Sequence, residues 1–525
     1  VADTCMKTRK IDFSDTHAFS SFFLDYIRQK ETLQNFYHHF PSVSNFKEQI
    51  AEKSSFSAAQ REVLVNELKN QYSHLVVTEK VKGNIDSLLD AKTFTVTTGH
   101  QLNIFTGPLY FIYKIITVIN ACKELKAAYP QYRFVPVYWM ASEDHDYEEI
   151  KYFRLYGKKY IWQTEQQGAV GRFHTKELKA LLPEVPGDIS VFQEAYSKSK
   201  NLSEAVRHYV NALFGHEGLV VVDADNRNLK KALVPVIKDD LLHHSAKKSV
   251  DEATEKLHAL GYHTQVNARE INFFYLVDGL RSRIEKTEQG YQVVDTDLKF
   301  TESEMIRMAE TEPEKFSPNV VLRPLYQELI LPNLAYCGGP AELVYWLQLK
   351  GVFENFHTPF PILLPRSFAM VIDQPTFKKF EKTKLEIKDL FEEKNYLFNH
   401  WIAKNSANEL SLGKELESIQ QILQQVKERA SKIDSTLTKF VGAETQRTIS
   451  GLEVIEKKML RAEKRLHSEK LQQIEAVKDA LFPNGGLQER TDNFLNFYQS
   501  DPAFVSKVSE QLAPFDFSFN VLIYD

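Results

Sequence analysis

Cysteine is scarce in this chain of 525 residues, which has three: Cys5, Cys122 and Cys337. They are odd in number, far apart and never spaced as CxxC, which argues against a disulfide framework and suits a reducing compartment. No apolar run approaches the length that spans a bilayer. The first residues, VADTCMKTRKIDFSDTHAF, lack the apolar stretch of a secretory signal, so a cytoplasmic location without a membrane partner is expected. Neither sign of charge dominates: 65 Lys and Arg stand against 70 Asp and Glu, a net charge of −5. That balance gives no electrostatic reason for tight nucleic-acid binding, although a local basic patch for a small anion remains compatible with it. Internal repeats and low-complexity tracts are also missing.

What is present is the composition of a globular protein, with 43% hydrophobic and 26% charged residues. The length exceeds what one core accommodates and implies about two to four structural units. Residues 1–90 are polar helix formers with aromatics at helical spacing (Phe22, Phe23, Tyr26), read as a helical region packing on the core. At Thr93 the pattern changes. TFTVTTGHQ reads as a strand, LYFIYKIITVINACKELKAAY as a helix and RFVPVYWMAS as a second strand. Strand, glycine turn, helix and strand make a βαβ unit, so the expected fold class is α/β with a doubly wound parallel sheet. GLVVVDAD and PFPILLPRSFAMVI read as further core strands, while Tyr262–Val294 reads as antiparallel hairpins of an insertion. The expected organisation is a first part of the core at 91–225, an inserted α/β subdomain at 226–316 and a second part of the core at 317–375.

Leu416, Leu423, Ala430 and Leu437 recur every seven residues, as do Ile419, Val426, Ile433 and Phe440. Such a seam predicts a coiled coil about 37 Å long, broken at Gly442 and followed by a second long helix, together an antiparallel hairpin arm. The helical domain is placed at 376–482. Residues 483–525 then return to the core, with FDFSFNVLIYD as a terminal strand joining the sheet. An exposed seam implies a homodimer through the coiled coil.

Three strand ends carry candidate chemistry. Gly99, His100 and Gln101 end the first strand, and Thr106 and Gly107 follow closely. A strand-to-helix turn of this kind offers backbone N–H groups to an anion, and His100 can bind a phosphate or carboxylate or transfer a proton. Its bland alternative is a capping turn. The second strand ends at Trp139 and runs into Glu143, Asp144, His145 and Asp146, a group able to bind a cation, hold an amine or act as a base, or simply to start a helix. The third stretch places Asn319 and Arg323 beside apolar strand residues, then Gly338 and Gly339 in a turn opening a helix. Cys337 there reads as a packing residue more readily than as a nucleophile. Arg366, after PILLP, is placed to clamp a carboxylate.

The segments TTGHQLNIFTGPLYFIYK, WMASEDHDYEEI, RPLYQELILPNLAYCGGPAE, PNGGLQER and FSFNVLIYD together resemble the cysteine-adding family of bacillithiol biosynthesis. They run in order from about residue 93 to the end. The resemblance implies a Rossmann-type sheet like that of class I aminoacyl-tRNA synthetases, with connecting-peptide insertions and a dimer-supporting coiled coil. It implies a ligase forming a C–N bond between the L-cysteine carboxyl group and the amine of glucosaminyl malate. Activation by ATP or another nucleotide is implied only through the synthetase relatives. Gly99-His100 matches the second half of their HIGH signature, but Thr97 replaces its first His and no KMSKS-type loop is evident. On this resemblance His100 binds phosphate or carboxylate, Asp144 and Asp146 hold or deprotonate the amine, and Arg366, Gly338 and Gly339 face the malyl carboxylates. No catalytic metal is called for. Another nucleotidyl- or aminoacyl-transferase of the same fold is the competing enzyme reading, and a coiled-coil scaffold is the non-enzymatic one.

Overall fold

The computed structural model describes residues 6–524; Cys5 lies outside them. The chain forms two compact units. The first holds the residues up to Ser14, Ala18–Val371 and Gly486–Leu522. Its strands, in chain order, are β1 (Met6–Ile11), β2 (Thr93–His100), β3 (Arg133–Met140), β4 (Tyr152–Leu155), β5 (Lys158–Ile161), β6 (Val220–Asp223), β7 (Phe273–Val277), β8 (Leu280–Thr287), β9 (Gly290–Val293), β10 (Lys299–Phe300), β11 (Phe316–Pro318), β12 (Asn333–Gly338), β13 (Ile362–Pro365), β14 (Phe368–Ile372) and β15 (Phe519–Tyr524), the last two ending just past the limits of the unit.

The main sheet is parallel, in the order β13-β12-β2-β3-β6. β2 is its centre and is buried along its length except at His100. A strand covered on both faces needs β-branched residues throughout, and β2 meets this with threonines whose hydroxyls are satisfied locally. Thr95 and Thr97 donate to Asn333 Oδ1 at 3.0 and 2.8 Å, and Thr98 donates to the Cys337 carbonyl at 2.8 Å. The helix Tyr110–Ala128, buried through its first half and exposed in its last turns, makes the crossover to β3. β3 lies on one side of β2 and β12 on the other, so strand order reverses at β2. Ligands of doubly wound sheets bind beyond the carboxyl ends of strands at such a switch point.

A second, antiparallel sheet, β10-β9-β8-β7-β11, is built from the hairpin region. The remainder differs from the sequence expectation at two places. Pro359–Ile372 is two strands, because the chain turns at Arg366-Ser367: β13 stays in the parallel sheet and β14 leaves it. The terminal strand β15 does not join the parallel sheet. It lies between β1 and β14 in a separate three-stranded sheet, so the N-terminal region is not purely helical either. Arg323–Ile330, read as strand-like, is a helix that ends before β12.

The second unit, Asp15–His17, Ile372–Gly485 and the residues from Ile523, is helical. Its two long helices, Gly413–Ile433 and Leu437–Leu466, pack against each other. The break falls at Asp434–Thr436 and not at Gly442, which sits inside the longer helix. Asp434 Oδ1 accepts from the Thr436 N–H and hydroxyl, both at 2.8 Å. That local turn competes with helical hydrogen bonding more strongly than one helical glycine does. One heptad column, Leu416, Leu423 and Ala430, is half-buried. The other leaves Val426, Ile433 and Phe440 exposed. No helix is long and apolar enough to cross a membrane among the described residues.

Candidate active site

The carboxyl ends of all five parallel strands open on one cavity of about 630 Å³. β2 delivers Gly99 and His100, β3 delivers Trp139 and Met140, and the turn after β12 delivers Gly339. The antiparallel sheet adds Phe274, Arg281 and Pro318.

One wall is a buried charge cluster around Lys114, from the helix that follows β2. Its ammonium, 3% exposed, donates to the Gly99 carbonyl at 2.9 Å and pairs with Glu342 Oε2 at 2.5 Å. Glu342 also accepts from the Tyr336 hydroxyl at 2.8 Å and the Gly339 N–H at 2.7 Å. Burial pushes the Glu342 carboxyl up, but Lys114 and these donors outweigh it and hold it below the usual range. His100 sits beside this cluster, its ring edge-on to Tyr110 and tilted on Phe111. Burial, reinforced by the Lys114 charge, pushes its imidazole down to about 3. Its Nε2 is buried without a hydrogen-bond partner. At neutral pH His100 is therefore a neutral imidazole with one N–H, suited to hydrogen bonding a ligand. Gly99 leaves little room for a side chain: a Cβ would lie 3.3 Å from Tyr336 Oη, so the tyrosine would have to give by a few tenths of an ångström.

A second charged group of the lining centres on Glu143. Glu143 pairs with Lys230, which is fully buried and lies 3.7 Å from Asp225 as well. Burial pushes the Glu143 carboxyl up to about 7; Lys230 lowers it and Asp225 raises it. Asp225 is held separately by Arg172, with contacts of 2.7 and 3.0 Å. Glu143 is thus the carboxyl of this group poised to exchange a proton near neutrality.

The predicted site residues separate into two groups. Gly99, His100, Gln101, Trp139, Glu143, Asp144, Asn319, Arg323, Gly339 and Arg366 line the cavity. Asp146, His145, Thr106, Gly107 and Gly338 are not part of its lining. Asp146 is exposed. Asp144 accepts from Gln101 at 2.9 Å and from the N–H groups of His145 and Asp146 at 2.7 and 3.2 Å, so it organises its own turn. His145 contacts Arg281 at 2.6 Å. Thr106 and Gly107, at φ 69° and 63°, form a strained turn whose flanking carbonyls, Phe105 and Gly107, both accept from Asn493 Nδ2 at 2.7 Å. A Cβ on Gly107 would fall 2.6 Å from Asn103, so this glycine serves the turn.

Arg366 is not the uncommitted clamp its strand-end position suggests. Its guanidinium meets Glu489 at 3.0 and 2.5 Å, with both side chains buried. Cys337 is fully buried and burial pushes its thiol up to about 12, which fits packing. Sequence reasoning missed the roles of Lys114, Tyr336 and Lys230, each within a segment that reads as ordinary helix or strand. Arg281, which stacks 4.0 Å over Phe274, also escaped it, because the hairpins looked like an insertion remote from the site. The histidines and carboxylates of the cavity are not gathered at metal-ligand spacing. Among the described residues His38, His39 and Glu52 meet that geometry, outside the cavity.

A parallel sheet with its crevice at the switch point, followed by a helical hairpin domain, defines a Rossmann-like protein with a coiled-coil domain. Residues 6–367 match the family model "Bacillithiol biosynthesis BshC, N-terminal Rossmann-like domain", and residues 369–524 match the model of that family's C-terminal coiled-coil domain. The chain belongs to the BshC family of bacillithiol biosynthesis. It is 42% identical to proteins named "Putative cysteine ligase BshC" from Flavobacterium psychrophilum and Flavobacterium johnsoniae, covering 98% of this chain and 99% and 100% of theirs. The protein of that name from Christiangramia forsetii is 41% identical, over 99% of each chain.

Proposed function

We propose that this protein is a cysteine ligase that forms the amide bond between the carboxyl group of L-cysteine and the amine of glucosaminyl malate, acting in the cytoplasm as a homodimer. The observation that carries the reading is the polarity of the cavity. Its lining brings hydrogen-bond donors and cations, Arg323 and Arg281 among them, together with the Glu143 carboxyl group, which is pushed up to about 7. Amide formation needs both: donors at the oxygen of the acyl group, and a base for the attacking amine.

In this reading His100 donates a hydrogen bond from neutral imidazole to a carboxylate or phosphate oxygen of the activated cysteine. Glu143 takes the proton of the amine, a role moved here from Asp144 and Asp146, and Lys230 steadies the carboxylate between turnovers. Arg323, packed on the rings of Trp139 and Tyr336, and Arg490, at the cavity rim, meet the malyl carboxylates in place of Arg366. A carboxylate is a poor acyl donor, so cysteine requires activation, and the Gly99–His100 turn is where the phosphates of ATP or another activating nucleotide would lie. The homodimer reading rests on the exposed column Val426, Ile433 and Phe440. The thiol profile of a strain lacking the protein tests the assignment.

A further inference from the structure

We propose that His38, His39 and Glu52 form a binding site for one Zn²⁺ ion, which ties the 38–39 segment to the helix Phe46–Lys53. His38 Nε2 lies 2.9 Å from Glu52 Oε1, and His39 Nε2 lies 3.0 Å from the same oxygen. The three ligand atoms all fall within 4.8 Å of one another. Tetrahedral zinc with bonds of about 2.0–2.1 Å sets its ligand atoms about 3.3 Å apart, close to this spacing. An ion pair with Glu52 needs one imidazole. Two consecutive histidines converging on one carboxylate oxygen is the arrangement of a metal's first ligands, and it would be repulsive if both rings were charged.

A second feature is independent of those three atoms. The other ring nitrogen of His39, Nδ1, faces Glu48 Oε2 at 3.6 Å. Glu48, 71% exposed and just beyond hydrogen-bond distance, is one turn from Glu52 on the same helix face, where a small movement would let it orient the histidine. Metal-bound histidines characteristically direct their second nitrogen at a carboxylate, which fixes the tautomer and raises basicity. His39 is 14% exposed and His38 40%, which leaves a remaining coordination position open to water. Two imidazoles and one carboxylate favour zinc over magnesium or calcium, which prefer oxygen ligands.

The role that follows is structural. Lys53, the residue after Glu52, reaches inward to Glu328 at 3.0 Å, and Glu328 is bonded by Asn333, the partner of Thr95 and Thr97 on β2. A bound ion would thus brace the outer end of a peg whose inner end holds the central strands.

Titration of metal-stripped full-length protein with Zn²⁺ should give one ion per chain and a higher thermal midpoint. Co²⁺ in the same site should show visible ligand-field absorption. His38→Ala and Glu52→Gln should each weaken Zn²⁺ binding at least about tenfold, since ligand loss exceeds the 10–100-fold cost of outer partners only in degree. His174→Ala, which removes the single imidazole 3.3 Å from Glu177, should leave the stoichiometry unchanged, and excess Mg²⁺ should not displace the ion. Absence of stoichiometric Zn²⁺ binding and of the Co²⁺ band in the unaltered protein overturns the proposal. So does Zn²⁺ binding of unchanged affinity in folded His38→Ala and Glu52→Gln proteins.

Discussion

Burial shifts the titration of His100 and Glu143, the two side chains central to the proposed reaction. Glu143, pushed up to about 7, is half ionised near neutrality. If it accepts the amine proton, kcat/KM should rise between about pH 5 and pH 8 with a midpoint near 7. Glu143→Gln should remove that limb and slow turnover at pH 8 by about a hundredfold. The sign for stability runs the other way. A carboxyl raised above its unfolded value favours the fold below the unfolded pKa, and that contribution fades as pH rises through about 7. Loss of rate at pH 5–6 through Glu143 is therefore not acid unfolding. His100→Ala should lower turnover about tenfold or more, whereas His100→Gln, which keeps an N–H donor, should retain a larger share. Equal losses in the two variants would show that the hydrogen bond is not what His100 supplies.

Arg366 and Glu489 make a different test. Both are buried, so removing one strands a charge, and Arg366→Ala should cost about 3–5 kcal/mol of stability by urea unfolding, with or without substrate. A stable Arg366→Ala protein that loses only substrate affinity would restore the role suggested by its sequence position. The residues at strand ends were legible because β2 and β3 announce themselves by composition and stop at glycine or at a run of carboxylates. Which of those residues face the ligand was not. Asp144 and Asp146 are two apart, yet Asp144 lines the cavity while Asp146 is exposed outside it, a distinction set by the path of the backbone after β3. Lys114 was illegible because a lysine in an amphipathic helix usually lies in water, and only the three-dimensional placement of Glu342 explains its burial. The His38, His39 and Glu52 cluster was equally hidden, since its members converge only once the segment folds back on the helix.

Elements were read more reliably than contacts. Hydrophobic periodicity located the parallel strands, the hairpins and the long helices, because each must bury one face. It did not locate the ends that depend on local hydrogen bonding: Asp434 stops a helix that Gly442 does not. Nor did it assign β15 to a sheet, since a short buried strand reads the same whichever neighbours it has. The helical hairpin has a half-buried column and an exposed one, and the helix Gly413–Ile433 has no fully buried residue. The proposed homodimer would cover the exposed column and add to this small core. Val426→Asp with Phe440→Asp should convert a dimer to a monomer by sedimentation while leaving helix content unchanged. A double variant of unaltered sedimenting mass would contradict pairing through this column.

At the scale of the molecule, the parallel sheet places five strand ends on one cavity, the antiparallel sheet adds Arg281 to its wall, and Glu489 from the chain's end secures Arg366 on its floor. PNGGLQER, one of the segments that carry the family resemblance, makes these contacts: Gln488 brackets the Val371 backbone at 2.8 and 3.0 Å while Glu489 engages Arg366. The proposed joining of cysteine to glucosaminyl malate is tested by the thiol and precursor profile of a strain lacking the protein, complemented with the unaltered chain or with Glu143→Gln. The deletion strain should lack bacillithiol and accumulate glucosaminyl malate, and the unaltered chain but not Glu143→Gln should restore the product. Normal bacillithiol in the deletion strain, with no second copy of the gene, would contradict it.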